Sequence, residues 1–342
     1  MSMLRALFAI AAIVLLAGCS QPPKIVGLQG HAEGTTYHIR WWSQKPVDMA
    51  QIKQQMQVAL DRVDREISNY RDDSDIEHFN RNRTTDWQTL PADVIQLLDI
   101  AKTVYHDSHG CYDPTIKPLF DLWGFRADKL HVPSAAEIAA TKAEVGFDHV
   151  TIDTAHSRIR KSLPQLAIDM SSMGEGYTIW HLSKVLEDAG VHNYLVEFGG
   201  DMLVKGHKPG GKRWKIAIER PLPGDMQVEK VVAILADNGV SINTSGTYRH
   251  FFDEDGHVYS HILNPRTGAP VTHNLVSATV FGTDPRVSDA WATAMLCMGR
   301  DEGGQVAQAQ SLPVFFIQQE GKKLITSESP ALEKSTAVMI QR

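Results

Sequence analysis

A chain of 342 residues, 43% hydrophobic and 22% charged, has ordinary globular composition and enough length for one large domain or two modest ones. Its 34 Lys and Arg against 40 Asp and Glu leave a formal charge of −6, and no basic stripe stands out, which argues against nucleic-acid binding by phosphate neutralisation. A mildly acidic protein that binds an anionic nucleotide gains from a metal that offsets the repulsion, although charge balance alone does not demand one.

The N-terminus reads as a targeting segment. Residues 1–5 are a short positive region and residues 6–17 an apolar run, shorter than the roughly 20 residues a spanning helix needs. The run ends in Leu16-Ala17-Gly18-Cys19, which resembles the lipobox of bacterial lipoproteins. That resemblance implies a signal peptide over 1–18, cleavage before Cys19 and acylation of Cys19. Each buried CH2 of the acyl chains adds about 0.8 kcal/mol, so two or more chains anchor stably. A plain secretory peptide cut nearby is the alternative. Residues 19–30, with Gln21, Pro22 and Pro23, then form a lipidated tether, and Ser20 lacks the aspartate retention signal, which hints at the outer membrane. Cys111 and Cys297 remain. No CxxC or His/Cys cluster suggests zinc or a redox couple, and two separate buried thiols are expected, though an envelope location permits a disulfide.

Beyond the tether, residues 34–41 read as a strand rich in β-branched and aromatic side chains. Met49, Ile52, Met56, Leu60, Val63 and Ile67 recur at spacings of three and four, the apolar face of a long helix. Ser74 and Glu77 fit a capping box before Ile76 and Phe79, and Ser134 and Glu137 repeat it before Ile138. Between them, Pro91 stands where a first-turn proline belongs, ahead of Val94, Leu97, Leu98, Ala101 and Val104. A helix is expected over 175–189, stopped by Gly190, and another over 287–298 ending near Gly299. Strands are expected at 194–198, 214–219, 231–235, 276–281, 314–317 and 337–340. No repeat or long linker divides the mature chain. Helices early and antiparallel-looking strands late indicate an α+β fold.

Four segments mix small residues with acids and hydroxyls beyond what a core needs. They are Gly110-Cys111-Tyr112-Asp113-Pro114-Thr115, residues 168–177, residues 241–246 with 260–268, and residues 288–293. Asp289 and Thr293 stand four apart and share a helix face, where a carboxylate and a hydroxyl can bind a hard cation. Spacing alone favours a plainer reading, with Asp289 a first-turn cap and Thr293 packed in the core. Gly174 and Gly176 flank Glu175 at a helix start, where backbone N–H groups can approach a phosphate or a ligand ring. The pattern is neither GxGxxG nor a Walker loop.

Taken in order, the segments resemble the ApbE family of FAD:protein FMN transferases. The resemblance rests on Gly34-Thr35-Thr36-Tyr37, Ser68-Asn69-Tyr70-Arg71, Tyr112-Asp113-Pro114-Thr115, residues 168–177, Phe198-Gly199-Gly200-Asp201, residues 241–246, residues 261–268 and Asp289-Ala290-Trp291-Ala292-Thr293. It implies one T-fold-like α+β domain over residues 31–342, with FAD in a cleft between two lobes. It implies FAD contacts at Tyr70, Cys111, Tyr112, Asp113, Asp169, Glu175 and Leu263, and a magnesium site at Ser172 (through its carbonyl), Asp289 and Thr293. Glu33 stands where relatives often have Met, and Ala292 where some carry an acid. The implied reaction transfers FMN from FAD to a Ser or Thr hydroxyl, with AMP leaving and His261 as the candidate base. The bland alternative for His261 is a structural histidine bonded to the Asn264-Pro265 turn. The implied acceptors are subunits of membrane electron-transfer complexes of the quinone-reductase type, which the family meets at the inner membrane. Two other readings keep the site: a metal-dependent FAD pyrophosphatase, and a lipoprotein that only binds flavin. His106, His109, His149 and His250 read as surface or core histidines, Trp291 as packing, and Asp201 as serving its turn.

Overall fold

The computed structural model describes residues 23–125, 130–222, 224, 227–248, 251–254 and 257–341. The targeting segment with Cys19, and His250, lie outside the described residues.

An alternating strand of β-branched and aromatic residues sets the first layer. Thr35–Trp42 puts Ile39 and Trp41 fully inside while Thr36, His38 and Arg40 face out. It is the second strand of an eight-stranded sheet, numbered here along the chain. The strands are β1 (Val26–Ala32), β2 (Thr35–Trp42), β3 (Asn193–Phe198), β4 (Asp201–Lys205), β5 (Val240–Gly246), β6 (Leu275–Gly282), β7 (Val314–Glu320) and β8 (Lys323–Glu328). Each pairs antiparallel with the next in the chain, so the sheet is a meander whose connections carry the rest of the fold. Strand β1 takes up residues 26–30, which the sequence reading gave to the tether.

The long connection from β2 to β3 holds helices α1 (Met49–Ile67), α2 (Asp75–Arg81), α3 (Ala92–Asp107), α4 (Lys117–Trp123), α5 (Ala135–Lys142) and α6 (Gly174–Asp188). α1 starts where the Asp48 carboxylate accepts from the N–H groups of Ala50 and Gln51. Its buried face is the expected one, Ile52, Met56, Leu60, Val63 and Ile67, each contributing about 1.5–3 kcal/mol by leaving water. Ser74 and Ser134 cap α2 and α5 as expected, and both halves of the capping box form at Ser134 and Glu137. One sheet face packs on α1 and α6 through Ile39, Trp41, Met56, Leu182, Tyr194 and Phe198. The other meets a three-stranded sheet (Lys215–Glu219, Val228–Ile234, Val338–Gln341) through Trp214, Ile216, Val232, Ile242, Phe281 and Phe315.

Helix α7 (Pro285–Ala309) runs between β6 and β7 and breaks at Gly299, where φ is 76°. The expected stop is therefore a break, with a second helical piece beyond it. Against α7 lie α3 and α6, and their side chains make the largest core cluster. The two cysteines in that cluster are bonded to each other, not separate thiols as expected. α3 ends in a turn with positive φ at His109 and Gly110, which swings Cys111 back onto α7 so that its Cα lies 5.8 Å from that of Cys297. No helix among the described residues is long and apolar enough to cross a membrane.

Candidate active site

The site is built where α6 begins. Gly176, the third residue of α6, lies so close to α7 that an added Cβ would stand 2.3 Å from the Pro285 carbonyl oxygen and 2.9 Å from Asp289 Cβ. Only glycine permits that approach. It brings the Gly176 N–H, one of the unpaired donors of a first helical turn, to 2.8 Å from Asp289 Oδ2. Ser172, four residues earlier, does not receive that N–H, and its carbonyl lies in the turn that leads into α6.

Asp289 is not the cap of α7. Asp284 caps it, accepting from the Arg286 N–H at 3.0 Å, and Asp289 sits in the second turn, 8% exposed. Burial, with Asp201 and Glu175 nearby, pushes the Asp289 carboxyl well above the usual carboxylate range. One turn on, Thr293 is half-buried with its hydroxyl 3.2 Å from Ser245 Oγ on β5. Both polar ends of this pair meet other polar groups rather than apolar core.

The expected flavin-side segments gather around the same turn. Ser172 Oγ lies 3.2 Å from the Tyr112 hydroxyl, which is buried and held protonated by that burial. The Pro114 carbonyl accepts from the Asp169 N–H at 2.7 Å, joining the Tyr112–Asp113 stretch to the residues before α6. Asn69 clamps those residues from both sides, donating to the Ile168 carbonyl at 2.9 Å and accepting from the Met170 N–H at 2.7 Å. Tyr70 beside it is 83% exposed, an aromatic ring presented to solvent. Asp113 accepts from the Thr115 N–H and hydroxyl at 2.8 and 2.6 Å, and burial pushes its carboxyl up to about 6. Asp169 accepts from the Ser171 N–H at 2.9 Å and from its hydroxyl.

Two expected contacts change character. Cys111 is disulfide-bonded and offers a ligand no thiol, only backbone. The Leu263 side chain packs on Ile116, Leu119 and Trp123 in a small core, so a ligand would meet its backbone. The turn after it closes on itself, with the Asn264 carbonyl accepting from the Thr267 and Gly268 N–H groups. His261 is half-buried just before this bridge, and the bridge lies against α7. Glu33, in the β1–β2 turn at φ 51°, faces Thr178 of α6 at 3.5 Å, and burial pushes its carboxyl up to about 7. Trp291 is 4% exposed and packs in the core, as expected.

The sequence reading gave Asp201 to its turn. It opens β4 and is 2% exposed, with Asn243 Nδ2 donating to it at 2.7 Å and the Thr244 N–H at 2.8 Å. Its signals were the Phe198-Gly199-Gly200-Asp201 motif and an acid at the start of a strand.

The donor set suits a hard dication. A buried carboxylate and a hydroxyl on one helix face are oxygen ligands of the right kind, and the negative charge around Asp289 calls for compensation. Asn243 Oδ1 is buried without a hydrogen-bond partner, an orphaned acceptor beside these groups. Among the described residues no group of three or more His, Cys, Asp or Glu side chains is placed to hold a metal, so such a site would rest on one carboxylate with hydroxyl and carbonyl oxygens.

The fold is an α+β domain, and its similarity to known proteins shows its family. The ApbE family model matches residues 34–316. The chain is 34% identical to the FAD:protein FMN transferase of Salmonella typhimurium over 333 residues, 94% of each chain. It is 31% identical to that of Haemophilus influenzae over 342 residues, 98% of each. The flavin transferase ApbE from Vibrio cholerae superposes with a TM-score of 0.82 at 31% identity, covering 91% of this chain and 99% of that one. The apo flavinyl transferase ApbE of Pseudomonas stutzeri gives 0.83 at 32% identity, covering 92% and 97%. The chain belongs to the ApbE family.

Proposed function

We propose that this chain is an FAD:protein FMN transferase that uses magnesium and moves the FMN half of FAD onto a Ser or Thr hydroxyl of acceptor proteins, releasing AMP. The observation that carries the reading is the Asp289 carboxylate meeting the first turn of α6, with Thr293 one turn further along α7 and Ser172, bonded to Tyr112, just before α6. Asp289, Thr293 and the Ser172 carbonyl would hold the magnesium ion, which when bound offsets charge on the phosphoryl oxygens. The acceptor hydroxyl oxygen bonds to the phosphorus on the FMN side. The bond from that phosphorus to the bridging oxygen breaks, and AMP departs with that oxygen. His261 takes the hydroxyl proton, a task suited to an imidazole near neutrality. Tyr112, Asp113, Asp169 and Glu175 orient the nucleotide, and Tyr70 offers an exposed ring against which a flavin can lie.

The proposal extends to place and partners. Cys19 would carry the lipid anchor, holding the enzyme at the bacterial envelope and facing the periplasm, with subunits of quinone-reductase-type membrane complexes as acceptors. The Cys111–Cys297 disulfide supports an oxidising compartment. The test is mass spectrometry of an acceptor peptide incubated with FAD and magnesium, with and without EDTA. An FMN-phosphoester adduct and an equal yield of AMP, both lost in EDTA, are expected. Free FMN with an unmodified acceptor would instead make the chain a pyrophosphatase, and unchanged FAD a flavin-binding protein.

A further inference from the structure

Strand β5 presents a polar face to α7. Ser241 Oγ lies 2.6 Å from Ser288 Oγ, and Ser245 Oγ lies 3.2 Å from Thr293 Oγ1. Alternate residues of a strand point the same way, so Asn243, midway between these two serines, faces the α7 segment that carries Asp289. The Asn243 side chain is fully buried, and its amide has a defined orientation. Asp201 as a carboxylate can only accept, so the Nδ2–H edge turns to it at 2.7 Å and the Oδ1 edge must point elsewhere. That oxygen is the atom with no partner. The Thr244 hydroxyl is bound to Thr279 at 2.9 Å, and the Thr244 N–H to Asp201.

The missing donor is best supplied with positive charge. Asp201 and Glu175 both stand near Asp289, and Gly199 makes room for Glu175, since a Cβ there would lie 2.1 Å from Glu175 Oε1. Both Asp201 oxygens already accept hydrogen bonds, from Asn243 Nδ2 and the Thr244 N–H, so Asp201 acts at one remove.

We propose that Asp201 and Asn243 form a positioning pair for the divalent cation: Asp201 locks the Asn243 amide so that Oδ1 accepts a hydrogen bond from the water shell of a cation held by Asp289 and Thr293. This rests on the metal-dependent reading above. Outer partners of this kind change metal affinity by about 10- to 100-fold when removed.

Manganese(II) binding to the full chain, followed by the loss of the free-ion electron paramagnetic resonance signal, tests it without any turnover. Wild type should bind, and Asp289→Asn should lose binding. Asp201→Asn and Asn243→Leu should each weaken it by about 10- to 100-fold. The exchanged variant, Asp201→Asn with Asn243→Asp, restores an amide–carboxylate pair with an oxygen toward α7 and should recover most of the affinity. If wild type binds no manganese, or Asp289→Asn binds as wild type does, the metal reading itself falls. If Asp289→Asn loses binding while the folded Asp201→Asn and Asn243→Leu variants bind as wild type, the pair has no such role and the metal reading stands. Should the single variants not fold, the exchanged variant decides: recovered binding supports the pair, and a folded protein that binds weakly overturns it.

Discussion

Single residues here do work that their neighbours define. His261 follows a strand end and precedes a turn whose backbone bonds to itself. Replacing it with Ala should lower kcat by about 100- to 10,000-fold with little change in the KM for FAD. An unchanged kcat would end its role as base. His181 shows the other fate of a histidine. It is buried between Tyr177 and Trp180 with Nε2 unpaired, and that burial, with Arg62 adding to it, depresses its imidazole to about 4. The unfolded chain therefore binds a proton at this residue below its ordinary value of 6.5 that the folded chain refuses until about 4. Its stabilisation is complete above that ordinary value and is lost as pH falls, by about 2 kcal/mol between pH 7 and pH 5. Glu33 and Asp113, raised by burial, act with the opposite sign. The check is therefore the difference between wild type and His181→Gln in urea denaturation at the two pH values. A wild-type curve that loses no more stability than the variant's would refute it.

At the scale of elements, the helices were readable because their signals are local. The three- and four-residue spacing of α1 and the caps at Ser74 and Ser134 lie within a few residues of what they specify. Strand β5 was not readable. Its sequence, Val-Ser-Ile-Asn-Thr-Ser-Gly, has the period of a strand, but the face turned to α7 is serine and asparagine, so it passes for a loop. Those polar residues are buried because α7 and Asp201 supply partners from far along the chain. The disulfide was hidden for the same reason, its cysteines being 186 residues apart. Closing a loop of that length restrains the unfolded chain by up to about 5 kcal/mol. Replacing both cysteines with Ala should lower the denaturant midpoint accordingly, and an unchanged midpoint would contradict a stabilising bond. Gly176 joins two elements directly. Gly176→Ala should force α6 from α7, cost about 1–3 kcal/mol in stability, and cut activity by breaking the Gly176–Asp289 bond. A fully stable, fully active variant would show that the close approach is dispensable.

Across the whole molecule, the meander brings together segments that the chain separates. The sheet sets β4 beside β5, α7 returns across β5, and α6 begins at the level where Asp289 faces inward. Most of the site was legible as motifs in order, since each motif is a short run of chemistry-bearing residues. What a sequence cannot display is which motifs touch, and so Asp201 passed for a turn residue although it lies near Asp289. The account depends on one cation at Asp289 and Thr293. Anomalous diffraction from crystals grown with FAD and manganese measures that directly. A peak bridging the Asp289 carboxylate and the Thr293 hydroxyl, beside the pyrophosphate, is the predicted result. FAD bound in full with no peak at this pair, or a peak remote from it, would contradict the account.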